Sequence, residues 1–387
     1  MIKALIFAWH NLRHRLWTSL AISGILTLGL FSLSMMFRIE NGMSQGLKNQ
    51  LEGTDLLLCA KGSPTQAILA NVLHIDNPTG NIAKKDAERW LRDPAIHSIR
   101  RIAYGDRIGT SRILGCDSAT WNHIPIHSLQ GHMPINTLDA VIGQTLAERE
   151  GLVIGDIFHG SHGMEGDHGH HDHHDYQVVG IIQSQAPWDN LAITPIESVW
   201  DVHHDKDSAY TAVLASISNP MKRLMLPGEI QRNSTLMAVS PALEGNRMLG
   251  WMNRGADMLN AMAVLMEIIG LASLILLLQV QVRARRTDFA LMQAMGGSWL
   301  QIFHVVAWQH VFVATMAILL NYMLLGAAHQ LQSWWLPAEL AWSDMHWGLG
   351  VWDLQLAAVL LSTSLLLALW PWFILKRISL HRALVDA

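Results

Sequence analysis

The densest chemistry in the chain lies between Phe158 and Tyr176. There His159, His162, His168, His170, His171, His173 and His174 place seven imidazoles in 16 residues. Glu165, Asp167, Asp172 and Asp175 are interleaved with them. Neutral imidazole is the commonest zinc ligand, and carboxylates can complete a tetrahedral shell. Five glycines from Gly155 to Gly169 keep the stretch out of regular structure. The expectation is a high-capacity metal-binding loop, with the seven histidines and Asp167, Asp172 and Asp175 as ligands. Zinc is favoured over nickel or copper, because no cysteine thiolate sits in the tract. The competing reading is a polar hairpin tip with incidental metal affinity. A catalytic zinc needs three fixed ligands and a supporting shell, which such a loop does not supply. No catalytic residue is assigned.

Other ionisable groups are sparser. His123, His127 and His132 cluster around Pro125, and His203 and His204 adjoin Asp201, Asp205 and Asp207. Each group either extends a metal path or is a set of surface residues. Cys59 and Cys116 are the only cysteines; a disulfide and two buried thiols both remain open. Glu267 sits in a long apolar stretch, where a charge is costly and marks a functional site by default. It faces a dimer seam or polar cavity, or is satisfied by a neighbour such as Asn260 or Asn321. No nucleophile motif, phosphate loop or dinucleotide fingerprint occurs, so the chain is not expected to be an enzyme or to bind ATP by a P-loop.

The elements that must carry these groups are set by composition. Of 387 residues, half are hydrophobic and only 15% charged, against about 25% in an ordinary soluble domain. A pI near 6.6 excludes the strongly basic profile of a nucleic-acid binder. Four apolar segments match the ~20 residues needed to cross a bilayer: 16–37, 258–282, 299–327 and 352–375. Lys3, Arg13 and Arg15 precede the first, which is too long for a signal h-region. Arg283, Arg285 and Arg286 follow the second, and Lys376, Arg377 and Arg382 the fourth, whereas 328–351 contains no Lys or Arg. Short-loop charge therefore places both termini and the 283–298 loop in the cytoplasm. Segments 38–257 and 328–351 face the other side.

Residues 38–257 carry 18 Lys and Arg against 25 Asp and Glu, a net −7. Strands are predicted at 55–59, 99–104, 111–114, 177–182, 209–215 and 236–239, and helices at 64–72, 84–91, 142–150 and 220–232. Gly151–Asp156 reads as a turn feeding a strand, with 177–181 returning. The fold class expected is an α-helical membrane protein. It has four transmembrane helices and a large α+β extracytoplasmic domain, of one or two subdomains, inserted between helices 1 and 2.

The 283–302 passage, Arg-Ala-Arg-Arg-Thr-Asp-Phe-Ala-Leu-Met-Gln-Ala-Met-Gly-Gly-Ser-Trp-Leu-Gln-Ile, has a periodic apolar face. Asp288 favours a helix start, Phe289, Met292 and Met295 share one side, and Gly296 and Gly297 end the helix. Such a helix suits either a partner's groove or the lipid surface.

This passage resembles the coupling motif of the FtsX/MacB/LolC-type (type VII) ABC transporter permeases. Ala8–Arg15 is similar to that family's amphipathic start, and Pro371–Leu384 to its basic close. The resemblance implies a MacB-like periplasmic domain and a homodimer in the bacterial inner membrane. It also implies a separate cytoplasmic ATPase engaging Asp288, Phe289, Leu291, Met292, Met295 and Gly296. Asp288 stands where Glu is usual, and Gln293 and Trp299 replace basic positions. Asp55–Gln66 and His74–Gly80 look like a subgroup associated with zinc uptake, which the His-rich loop also fits. The expected function is a permease subunit in ATP-driven zinc acquisition, with a periplasmic metal-binding protein as a further partner. The alternatives are mechanotransmission for lipoprotein, peptide or drug export, and regulation of a cell-wall hydrolase.

Overall fold

In the computed structural model, the described residues are 5, 6, 8–10, 13, 16–161, 175–184, 187–202, 208–284, 296, 298–335 and 345–369. They fall into two compact units. The helical unit lies within Met1–Gly42, Met252–Leu336 and Met345–Ala387; the α+β unit lies within Met43–Trp251 and Pro337–Asp344.

The elements run α1 (Leu16–Leu51), β1 (Leu56–Ala60), α2 (Pro64–Asn71), α3 (Lys84–Leu91), β2 (Ile96–Ile108), β3 (Ser111–Cys116), α4 (Ser118–Trp121) and β4 (Ser128–Gly131). Then come β5 (Asp139–Gly143), α5 (Gln144–Glu150), β6 (Ile157–His159), β7 (Asp175–Gln183), β8 (Leu191–Pro195), α6 (Ile196–Val202), β9 (Ala212–Ile217), α7 (Pro220–Asn233) and β10 (Leu236–Val239). The chain continues through α8 (Pro241–Ala284), α9 (Trp299–Gln330), α10 (Gln332–Trp335) and α11 (Val351–Leu367).

All ten strands join one sheet, ordered β10-β1-β9-β2-β3-β8-β5-β7-β4, with β6 also on β7. The β3–β8 and β5–β7 pairs are parallel and the others antiparallel. Apart from β4 and β6, which are largely exposed, the sheet is covered on both faces. Along β1, Leu57 and Cys59 join a cluster with Ala67, Ile68 and Val72. The alternate residues Leu56 and Leu58 join Ala87, Leu91, Leu226 and Ile230. The period of two thus sends one strand's side chains to two helical layers, and each fully buried leucine contributes about 1.5–3 kcal/mol.

Local signals mark the helix ends. Pro64 and Pro220 open α2 and α7, and the Asn219 side chain accepts from the Met221 N–H. A proline costs nothing at a helix start, where its N–H has no intrahelical partner. Gly151 closes α5 at φ +70°, a left-handed conformation that glycine takes without a Cβ clash. The helix expected over 142–150 starts only at Gln144, because Ile142 and Gly143 belong to β5.

Cys59 and Cys116 are free and buried. The register links Cys59 to Ala212, Ala212 to Ile102, and Ile102 to Cys116. At ~4.8 Å per strand the two Cα atoms are about 14 Å apart, about twice the Cα reach of a disulfide. Of the two readings the sequence left open, two buried thiols is the one observed.

Among the described residues, three helices are long and apolar enough to cross a membrane: Leu16–Leu51, Pro241–Leu276 and Phe303–Gln330. The fourth expected span is described over Val351–Leu367, an apolar helix of 17 residues; the rest of 352–375 lies outside the described residues. Ser23 Oγ donates to the Val313 carbonyl and Thr27 Oγ1 to that of Ala317, each at 3.3 Å. The constant offset between these pairs means that α1 and α9 run the same way. First and third spans of one topology must do so.

Candidate functional site

The stem of the His-rich tract is a hairpin. β6 and β7 pair antiparallel, with Ile157 opposite Gln177, Phe158 opposite Tyr176 and His159 opposite Asp175. Phe158 and Tyr176 stack with ring centroids 5.4 Å apart, and both are buried. Beyond them Ser161 exchanges backbone hydrogen bonds with Arg107, at 2.8 and 3.2 Å. The two described ends of the tract, Ser161 and Asp175, are therefore both held in the sheet beside a packed aromatic pair.

His159 Nδ1 lies 3.1 Å from Asp175 Oδ1, with both side chains about half exposed. A Nδ1–H donated to a carboxylate makes Nε2 the acceptor nitrogen, the tautomer that binds metals. These two residues supply one imidazole and one carboxylate, short of the four ligands of a closed zinc site. His162, His168, His170, His171, His173, His174, Asp167 and Asp172 lie outside the described residues. Among the described residues no group of three or more His, Cys, Asp or Glu side chains is placed to hold a metal.

The register also separates the other histidines from this stem. β4 pairs with β7 over Ser128–Gly131, and the His132 N–H donates to Val179 O. His159 faces Asp175 on the same edge, so His132 is about 14 Å further along at ~3.4 Å per residue. His123 sits elsewhere, at the rim of a cavity that also includes Arg100. His132 and His123 thus stand apart from the described His159–Asp175 pair. His203 and His204 lie outside the described residues.

In the helical unit, Glu267 is half-buried and both carboxyl oxygens are shielded without a hydrogen-bond partner among the described residues. Neither Asn260 nor Asn321 satisfies it, and Asn321 Oδ1 is itself unpartnered. The carboxyl packs on Gly29, where a Cβ would stand 2.9 Å from Oε1. A side chain at position 29 would push the Glu267 carboxyl aside. Gly270, one turn along, meets Leu26 as closely, so α1 and α8 touch through two glycines flanking an unmatched polar group. Burying such a group without a partner is expensive.

Sequence inspection did not find Arg38–Asp353. The guanidinium donates through Nη1 and Nη2 to both carboxylate oxygens at 2.9 and 2.8 Å, and both side chains are buried. The signal was present: each is a charge beside an apolar run, and Asp353 accepts from Gly350 N–H at the start of α11.

Of the residues expected to engage a separate ATPase, Gly296 is described, at φ +86°. Asp288, Phe289, Leu291, Met292 and Met295 lie outside the described residues.

No protein-family model matches the chain, and no curated protein matches it. Among solved structures, the chain is similar to the periplasmic region of MacB from Actinobacillus actinomycetemcomitans. That match has 10% identity and a TM-score of 0.35, over 51% of this chain and 95% of that one. It is also similar to the extracellular domain of the noncanonic ABC-type transporter YknZ from Gram-positive bacteria. There identity is 11% and the TM-score 0.33, over 48% of this chain and 99% of that one.

Proposed function

We propose that the chain is the permease subunit of an ATP-driven ABC transporter working in zinc acquisition. In this reading it is a homodimer in the bacterial inner membrane, with the α+β unit in the periplasm. A separate cytoplasmic ATPase engages the 283–298 loop, and a periplasmic metal-binding protein exchanges zinc with the 159–174 tract. The observation that carries the reading is the layout. A long apolar helix leads into a mixed sheet domain, apolar helices follow, and the Arg-rich, Gly-ended 283–302 passage lies between two of them. The hairpin stem supports the metal part, since it holds a seven-imidazole tract at a sheet edge by two fixed ends.

The test is zinc accumulation by chelator-starved cells lacking the gene and any redundant importer. Complementation uses the intact chain, or a chain with 162–173 replaced by a Gly-Ser linker of equal length that keeps the stem. The expected result is reduced uptake that only the intact chain restores. Restoration by both chains would keep zinc transport and remove the loop from the route. Wild-type uptake in the knockout would overturn the zinc reading. A Met292→Asp chain that is inserted normally should fail to restore uptake, because a charge on the apolar face blocks its docking.

A further inference from the structure

The α+β unit contains a cavity of ≈ 330 Å³ whose lining includes Arg100, His74, Asn71, Trp188 and Leu214. This volume is at the lower end of ligand pockets, about 300–1,000 Å³. The floor is buried, while Glu52 and His123 at the rim are exposed. None of these residues belongs to the histidine hairpin.

The polar groups in the wall are unevenly matched. Arg100 is 5% exposed, and its Nη2 donates to the Gly53 carbonyl and to Thr54 Oγ1. Its Nε is buried without a partner, and no carboxylate forms an ion pair with it among the described residues. Asn71 is 1% exposed; its Nδ2 donates to Ala67 O at 2.9 Å, and its Oδ1 has no partner. Buried polar atoms in native structures are nearly always paired, so such orphans point to a group that is not protein.

His74 adds a third polar atom. Its Nδ1 is hydrogen-bonded to Tyr104 Oη, whose own proton goes to Ala70 O at 2.5 Å. Tyr104 therefore accepts from His74, Nδ1 carries the hydrogen, and Nε2 is an acceptor. Burial, with Arg112 adding to it, pushes the His74 pKa down to about 3, so the ring is neutral at physiological pH. It packs edge-on against Trp188 with centroids 4.9 Å apart.

The wall thus offers one guanidinium, two acceptors and an aromatic-aliphatic surface. A dianionic phosphate is disfavoured, because a single Arg and no Lys line the cavity and Glu52 stands at its rim. We infer that this cavity binds a small molecule in which a carboxylate adjoins an N–H donor and an apolar group. A free amino acid and the C-terminal residue of a peptide share this chemistry. The carboxylate pairs with Arg100, the N–H meets Asn71 Oδ1 or His74 Nε2, and the apolar part lies on Trp188 and Leu214.

The test is calorimetric titration of the full chain in lipid nanodiscs with N-acetyl-L-leucine and with L-leucine. Comparison ligands are N-acetyl-L-leucinamide, which lacks the carboxylate, and 4-methylpentanoate, which lacks the N–H. The expected result is saturable binding of one or both leucine ligands, the preferred one separating peptide end from free amino acid. The amide should bind at least ~10-fold more weakly and 4-methylpentanoate several-fold more weakly, the scale of a lost charge-assisted or neutral hydrogen bond. Arg100→Gln should also lose ~10-fold or more, with Trp188→Phe showing a smaller loss. Equal binding of the amide, no loss in a folded Arg100→Gln chain, or no saturable binding up to millimolar ligand would each overturn the proposal. The last outcome would leave ordered water as the partner of these atoms. The ligand series uses the unmodified chain, so it decides even where a variant does not fold.

Discussion

In the helical unit Arg38 and Asp353 meet in a bidentate pair with side chains 5% and 3% exposed. In the α+β unit the Arg101–Glu88 pair spans 2.9 Å at the surface, with side chains 27% and 32% exposed. The same chemistry carries different weight in these two places. Near apolar helices neither charge can be left to water, so each needs the other; at the domain surface water replaces a lost partner. Each unit also holds shielded ionisable groups without an ion-pair partner among the described residues, among them Glu267 against Gly29 and Arg100 beside its cavity. Matched buried charge reads as structure. Unmatched buried polarity marks a place for a proton, water or ligand.

The largest effect should come from breaking the buried pair. Arg38→Met is expected to cost about 3–5 kcal/mol, because it strands a buried carboxylate. Thermal unfolding of the detergent-solubilised chain would measure it. Arg38→Met with Asp353→Asn should recover more than half of that loss, since the stranded charge is gone while the contact to Gly350 is kept. A double variant as unstable as the single one would show that the pair's hydrogen bonds, not its charge, hold the helices.

A smaller effect concerns pH. His74 is held neutral with its pKa near 3, against about 6.5 in an unfolded chain. Below ~6.5 the unfolded state takes up a proton that the folded state refuses. Stability from this group is therefore intact above that pH and falls as pH drops toward 3, by up to about 1.4 kcal/mol per unit. His74→Asn should flatten this acid limb between pH 6 and 4 in denaturant titrations. Asparagine suits the site because His74 has φ +56°. An unchanged acid limb would mean that another buried group sets it.

At the surface, Glu88→Gln should lower stability by no more than about 1 kcal/mol, with salt reducing the difference; a loss matching Arg38→Met would erase the contrast between the units. The smallest effect expected is none at all. Adding reductant should leave the melting temperature unchanged, and a thiol reagent should find two reactive cysteines only after unfolding. Burial pushes the Cys59 thiol up to about 12 and Cys116 well above its ordinary range. A reductant-sensitive melt would contradict the strand register.

Much of the sheet was readable from short apolar runs, as at Leu236–Val239, where expectation and strand coincide. Three strands were not: Ser128–Gly131, Asp139–Gly143 and Leu191–Pro195. Asp139–Gly143 and Leu191–Pro195 have five residues each and are covered on both faces. They show no alternation, and Ile142 passed for the start of a helix. The hairpin stem was legible because Gly151–Asp156 and Gln177–Ile181 bracket the histidines in sequence. The cavity was not, because Asn71, His74, Arg100 and Trp188 come from separate segments and none is unusual alone.

The sequence by itself determined the long apolar helices, the mixed domain between the first two, and the clustering of imidazoles at one hairpin. These depend on hydropathy, turn residues and local density, all of which are properties of neighbours along the chain. Tertiary structure alone decided that Cys59 and Cys116 stand three strands apart, that Arg38 meets Asp353, and that Arg100 ends beside an open volume. Register and packing bring together residues tens to hundreds of positions apart. Whether a buried charge finds a partner is settled only when those distant segments close around it.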